Sequence, residues 1–460
     1  MLEKKPSIKM IPLMTILLSG AFITILNQTL LGTALPVIMI DLNLTESTVQ
    51  WLQSVFMLVN GIMIPVTAFL IQRFSTRGLF LTAMSLFALG TAISAVAPTF
   101  SLLMLGRIFQ ASGAGIMMPL LQTILFLVFP IEKRGQAMGM FGLIIAFAPA
   151  IGPTLSGWLV DQFHWRSVFF VVLPIALFTI VGAFIFLKNV TEQKAIKVDV
   201  TSIILSTLGF GGLLYGFSIA GNVGWGNAQV YGTMILGAIS LAIFIARQLK
   251  LEEPMLEFRV FQYKIYSLTT GLSMIVFMSM IGTAVILPLF MQNMLEVSAL
   301  DSGLVLLPGA IVTGLMNPIT GRLFDMYGAR WLAIIGFTIL VITTYLFTNL
   351  TTDTSLTYLA VMNMIRMSSI SMVMMPVTTA GLNELPDYLI PHGTAMSNTF
   401  RQMAGAIGTA VLVTIMSTTA IPKAGLNGLI HGVNMSFYAA TVIAVIGLIL
   451  SFYIKSKPQT

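Results

Sequence analysis

The chain has 460 residues, of which 57% are hydrophobic and only 8% charged. Soluble domains carry roughly 25% charged residues, so a soluble enzyme with a single anchor is excluded. The absence of cysteine excludes disulfides, thiolate metal sites and thiol chemistry, and the net charge of +7 sits in short loops rather than on a soluble domain that would bind nucleic acid.

Uncharged runs of about 20 residues recur along the chain, each long enough to cross about 30 Å of hydrocarbon. The start, MLEKKPSIKM, leads into a full-length run without a small-residue cleavage site, and reads as a retained first span rather than a signal peptide. Spans are predicted near 10–36, 48–71, 78–97, 100–128, 135–160 and 166–187. A second series follows near 201–221, 229–249, 267–291, 301–323, 331–350, 355–380, 394–419 and 433–454. The fold class is therefore an all-α polytopic membrane protein with fourteen spans. With the N-terminus inside, all but five of the 23 Lys and Arg face the cytoplasm, among them Lys4, Lys5, Arg73, Arg77, Lys133, Arg134, Lys194, Arg247, Lys264, Arg330 and Lys455. Both termini are expected there.

The chain also repeats itself. NGIMIPVTAFLIQRFSTR (60–77) aligns without gaps on TGLMNPITGRLFDMYGAR (313–330), with Gly61/Gly314, Pro65/Pro318 and Arg77/Arg330 in register. GIMMP (115–119) matches MVMMP (372–376), and RGQAM (134–138) matches HGTAM (392–396). Two six-helix bundles are expected at 1–190 and 265–460, with two additional spans in 191–264. Repeats with Gly- or Pro-interrupted helices are a transporter architecture, with substrate bound where the halves meet.

These motifs resemble the major facilitator superfamily. GRLFDMYGAR (321–330) is similar to its loop signature, LGRIFQASGAGIMMP (105–119) to its fourth-helix motif, APAIGPTLSGW (148–158) to its fifth-helix antiporter motif and WRSVFFVVLP (165–174) to the start of its sixth helix. With DVTSIILSTLGFGGLLYG opening a seventh of fourteen spans, the resemblance narrows to the drug:proton antiporter branch of EmrB/QacA type. It implies a multidrug efflux transporter of a bacterial plasma membrane, working by alternating access and powered by the proton gradient. The implied partners are amphiphilic drugs and membrane lipids, with a monomer expected and no enzymatic activity. Export of an endogenous lipid or peptide, or a non-transporting sensor or scaffold, stays open beside this reading. No cofactor is expected: the chain has no Gly-x-x-x-x-Gly-Lys loop for ATP, and its histidines show no metal spacing.

Each motif has a physical reading. Gly321 and Gly328 permit close approach in a tight cytoplasmic turn, and Asp325 can pair with Arg330 or cap a neighbouring helix end. The resemblance makes this loop a latch. Its first copy carries Arg73 and Arg77, but Gln72 replaces the aspartate, so that latch is expected to be weaker. Pro149, Gly152, Pro153 and Gly157 imply a bent fifth helix whose glycines let another helix pack closely, the hinge and seal of the family.

The polar residues inside spans are the most informative. Arg107 and Gln110, Asn363 and Arg366, and Asn398, Arg401 and Gln402 each share a helix face, and such residues point into a bundle or a wet cavity. The amides Asn27 and Gln28 stand in the first span, with Asn27 where the resembled family has an aspartate. Asn27 reaches the depth of Arg107 and is expected beside it, but an amide carries no proton. These nine residues are the candidate substrate cavity, with structural bonding to carbonyls as the alternative. Proton coupling is assigned instead to the outer-mouth carboxylates Glu46, Asp161 and Glu296, whose alternative is plain solvation.

Overall fold

The computed structural model describes residues 10–191, 193 and 197–454; Lys4, Lys5, Lys194 and Lys455 lie outside them. The described residues hold fourteen helices long and apolar enough to cross a membrane. They are α1 (Met10–Asp41), α2 (Glu46–Arg73), α3 (Thr76–Val96), α4 (Phe100–Val128), α5 (Arg134–Gln162), α6 (Ser167–Phe186), α7 (Val200–Val223) and α8 (Ala228–Gln248). After these come α9 (Lys264–Asn293), α10 (Ala299–Tyr327), α11 (Ala329–Leu346), α12 (Leu356–Asn383), α13 (Ile390–Thr419) and α14 (Gly425–Ser451). The fourteen expected spans are all present. The first runs five residues past its expected end, because Pro36 lies inside α1 and does not stop it.

Helix starts follow from capping. Thr45, Ser75, Asp199, Ser298 and Ser355 each accept a backbone N–H of the first turn through the side chain, satisfying a donor that the helix itself leaves free. Prolines recur inside equivalent helices of the repeat: Pro36 and Pro288 in α1 and α9, Pro65 and Pro318 in α2 and α10, Pro119 and Pro376 in α4 and α12. Backbone donors are thus missing at matching places in both halves.

By packing, the described residues up to Val128 cluster with Ile151–Val198, and Phe129–Ala150 clusters with the described residues from Asp199 onward. In the first unit α3 and α4 pack along their length, α2 lies on α4, and α6 covers α1 and α3. In the second unit α10 and α11 flank α12, α9 packs on α12 and α13, and the α7–α8 hairpin docks through α7 on α13. The hairpin is closed at its base by Asp199, which accepts from Arg247 Nε at 3.0 Å and Nη2 at 3.2 Å. Burial opposes ionisation of Asp199, yet hydrogen bonds from Arg247 and Ser202 outweigh it and hold the carboxyl below its usual range.

Candidate functional site

The polar residues of the first unit form one buried network. Arg107 is 0% exposed. Its Nη1 donates to Gln110 Oε1 at 2.9 Å, its Nε to the Leu52 carbonyl at 3.2 Å, and its guanidinium lies 4.2 Å from the centre of the Phe56 ring. Gln110 Nε2 in turn donates to Asn27 Oδ1 at 3.3 Å and to Thr91 Oγ1 at 2.9 Å. Asn27 therefore reaches Arg107 through Gln110, and α1, α3 and α4 are tied at one point. The amide at 110 fits both sides of the network as it stands. It accepts from a guanidinium on one side and donates twice on the other, whereas an ionised carboxylate can only accept. Gln28 is half-buried.

The second unit has two such groups. Arg366 Nη2 donates to the Ser279 carbonyl at 2.8 Å and to Ser279 Oγ at 2.7 Å, and its Nε to Thr344 Oγ1 at 3.3 Å, tying α12 to α9 and α11. Asn363 is 1% exposed, one turn earlier on α12. Lower on α9 and α13, Arg401 donates to Asn398 Oδ1, and Asn398 Nδ2 donates to the Thr394 carbonyl at 2.8 Å. Tyr266 hydroxyl beside them donates to the Gly393 carbonyl at 2.8 Å. Gln402 is half-buried.

Around the 321–330 turn, Asp325 takes the second of its two expected roles. Its Oδ1 accepts from Gly135 N at 2.8 Å and its Oδ2 from Gln136 N at 2.9 Å. It caps the positive N-terminus of α5 and makes no ion pair with Arg330, whose Nε is buried without a partner. Gly321 lies against the backbone of Gly135, and Gly328 ends α10 at φ +77°, a conformation that favours glycine. In the first copy, Arg77 bonds the Phe184 carbonyl and lies 4.8 Å from the Phe184 ring centre, while Arg73 stands over Phe74.

The α5 contact needs one correction. Gly152 lies against Thr29 of α1 as expected, but a Cβ at Gly157 would meet nothing within 4 Å. The second contact comes from Ser156, whose Oγ donates to the Leu30 carbonyl at 2.6 Å. The lipid-like environment rewards a small residue that also supplies a hydrogen bond. Helix α5 continues through Pro149 and Pro153 from Arg134 to Gln162.

Among the outer carboxylates, Glu46, Asp161 and Glu296 are exposed, and Glu296 adopts φ +54° in the turn after α9. Glu46 accepts from Gln50, one turn on along its own helix, whereas Asp41 is held by residues distant in sequence. Its Oδ2 accepts from Trp165 Nε1 at 2.8 Å and Arg166 Nη1 at 3.3 Å, with His164 Nε2 at 3.6 Å. Sequence reasoning also passed over Thr91, Thr344, Ser279 and Ser156. The repeat held a signal for one pair: extending the register of Arg77 and Arg330 puts Thr91 opposite Thr344.

Residues 17–409 match the family model of the Major Facilitator Superfamily. The chain is 54% identical to the uncharacterised MFS-type transporter YcnB of Bacillus subtilis, over 100% of this chain and 97% of that protein. It is 43% identical to the lincomycin resistance protein LmrB of Listeria innocua over 97% of both chains. To the multidrug export protein EmrB of Haemophilus influenzae it is 29% identical, over 87% of this chain and 79% of that one. Its fold matches the crystal structure of the human organic anion transporter MFSD10 with a TM-score of 0.69 and 14% identity, over 96% of this chain and 99% of the other. These are transporters rather than enzymes. The fourteen membrane helices, the motifs in their order and the family match together establish that this chain belongs to the Major Facilitator Superfamily.

Proposed function

We propose that the protein is a secondary active exporter of amphiphilic drugs, driven by proton entry and working by alternating access in a bacterial plasma membrane with both termini cytoplasmic. The observation that carries this reading is Arg107, fully buried within a membrane helix and bonded to neutral partners. Ionisable groups at such depth are costly and mark transport pathways. Gln110 links it to Asn27, two residues from the Thr29 on which the α5 motif packs. The resistance and drug-export names of the relatives support drugs as cargo and export as direction.

In this reading Asn27, Gln28, Arg107 and Gln110 act from the first half and Asn363, Arg366, Asn398, Arg401 and Gln402 from the second. Asp325 and Gly328 latch one state. Because Asn27 carries no proton, coupling falls to Glu46, Asp161 or Glu296, which solvent reaches. Everted vesicles test the reading: lincomycin should accumulate under an imposed proton gradient and leak away when a protonophore is added. Absence of accumulation under the gradient would overturn export. Uphill accumulation by the triple variant Glu46→Gln, Asp161→Asn, Glu296→Gln would remove these three as coupling groups.

A further inference from the structure

One seam is filled differently in the two halves. Gly61 and Gly314 match in the repeat, so Phe56 on α2 and Gly309 on α10 are equivalent, each five residues before its glycine. Arg107 lies over the Phe56 ring, whereas a Cβ at Gly309 would lie 2.6 Å from Asn363 Nδ2. An aromatic–guanidinium pair in the first half thus becomes a glycine facing an amide in the second.

That amide donor has no acceptor. Asn363 Nδ2 and Arg366 Nη1 are both shielded and unpartnered, one helical turn apart, on residues no more than 1% exposed. Buried donors left unpaired are unfavourable, and both unmet groups are donors. What they lack is an oxygen. The wall over Asn363 is also one of two proline-weakened points of α10. Pro308 withdraws a backbone donor from the helix interior there, and Gly309 next to it offers no side chain to hold the seam.

We propose that Asn363 and Arg366 form the acceptor-binding end of the transport site, receiving a carboxylate, or paired carbonyl and hydroxyl oxygens, of an anionic or neutral amphiphile when α10 yields at Pro308–Gly309. The proposal rests on the transport reading above and names its substrate class. A permanent cation without oxygens, such as ethidium, brings no oxygen acceptor and meets a guanidinium of its own sign.

The test uses the purified full chain in nanodiscs, with fluorescein as the anionic probe and ethidium as its cationic counterpart, read by fluorescence anisotropy. Fluorescein should bind more tightly than ethidium. Asn363→Leu, close to isosteric, should weaken fluorescein binding about tenfold while its melting temperature holds or rises, because an unpaired amide has been replaced by an apolar group. Gly309→Ala should weaken fluorescein similarly while keeping both donors. A structural role for Asn363 gives the opposite pattern, a lower melting temperature with unchanged fluorescein affinity, and would overturn the proposal. If Gly309→Ala does not fold, Asn363→Leu decides alone. Fluorescein binding that is absent, or no tighter than ethidium binding, also overturns it, while lincomycin accumulation in vesicles would leave the exporter reading standing.

Discussion

The α1–α3–α4 knot and the α9–α11–α12 knot use different chemistry at the same place. In the first, Gln110 donates to Asn27 and Thr91; in the second, Arg366 donates to Ser279 and Thr344. The partners are equivalent by position. Asn27 and Ser279 each stand nine residues before a proline, Pro36 and Pro288, and Thr91 and Thr344 each stand 14 residues after Arg77 and Arg330. Three residues before each bridge is its companion, Arg107 or Asn363, so the guanidinium and the amide have traded places. The fold therefore fixes where a multi-donor side chain must stand, and leaves its charge free. Glutamine and arginine both supply two or more N–H groups, whereas an ionised carboxylate supplies none. Both knots bury one guanidinium against neutral acceptors: in the first it is the companion, Arg107, and in the second the bridge itself, Arg366.

The largest effect is expected from Gln110→Leu. It removes the Arg107 acceptor and both bonds to α1 and α3, and leaves a buried charge short of a partner. Interhelical bonds in membranes average about 0.6 kcal/mol each, and those to charged groups reach about 1.5–3 kcal/mol. A destabilisation of roughly 2–4 kcal/mol should appear in denaturant titration, with transport lost. A change under about 0.5 kcal/mol would show that the first knot does not hold its helices.

Arg366→Gln sharpens the comparison by giving the second knot the bridging residue of the first. The amide can still donate to Ser279 and Thr344 and sheds the cost of a buried charge. Stability should stay within about 1 kcal/mol of the parent, measured the same way. A loss above about 3 kcal/mol would mean that charge itself holds this knot.

The smallest effect lies outside both knots, at Asp199 and Arg247, where a charged bridge does have its counterion. The Asp199 carboxyl is held below its usual range in the fold, so its contribution is fully present above the unfolded value near 4 and is lost as pH falls through the lower folded value. Asp199→Asn should cost about 0.5 kcal/mol or less at neutral pH, since partly exposed pairs contribute little. The variant and parent should converge on acidification below pH 4. A persisting gap at low pH would show that the capping bond to Ser202, which asparagine also makes, is not what remains.

The sequence by itself determined the fourteen spans, the repeat and the family. Each of these is written in local properties: apolar length matched to hydrocarbon, prolines and glycines at matching offsets, and capping residues at helix starts. It also placed Arg107 with Gln110 and Asn363 with Arg366, because spacing by three on a helix fixes a common face. Only the tertiary structure decided what those faces meet. Asn27 touches Gln110 rather than Arg107 itself, Asp325 caps α5 instead of pairing with Arg330, and Ser156 rather than Gly157 completes the α1–α5 contact. The physical reason is that a hydrogen bond needs its atoms within about 3 Å, while depth in a span and face of a helix locate a side chain only to within a turn.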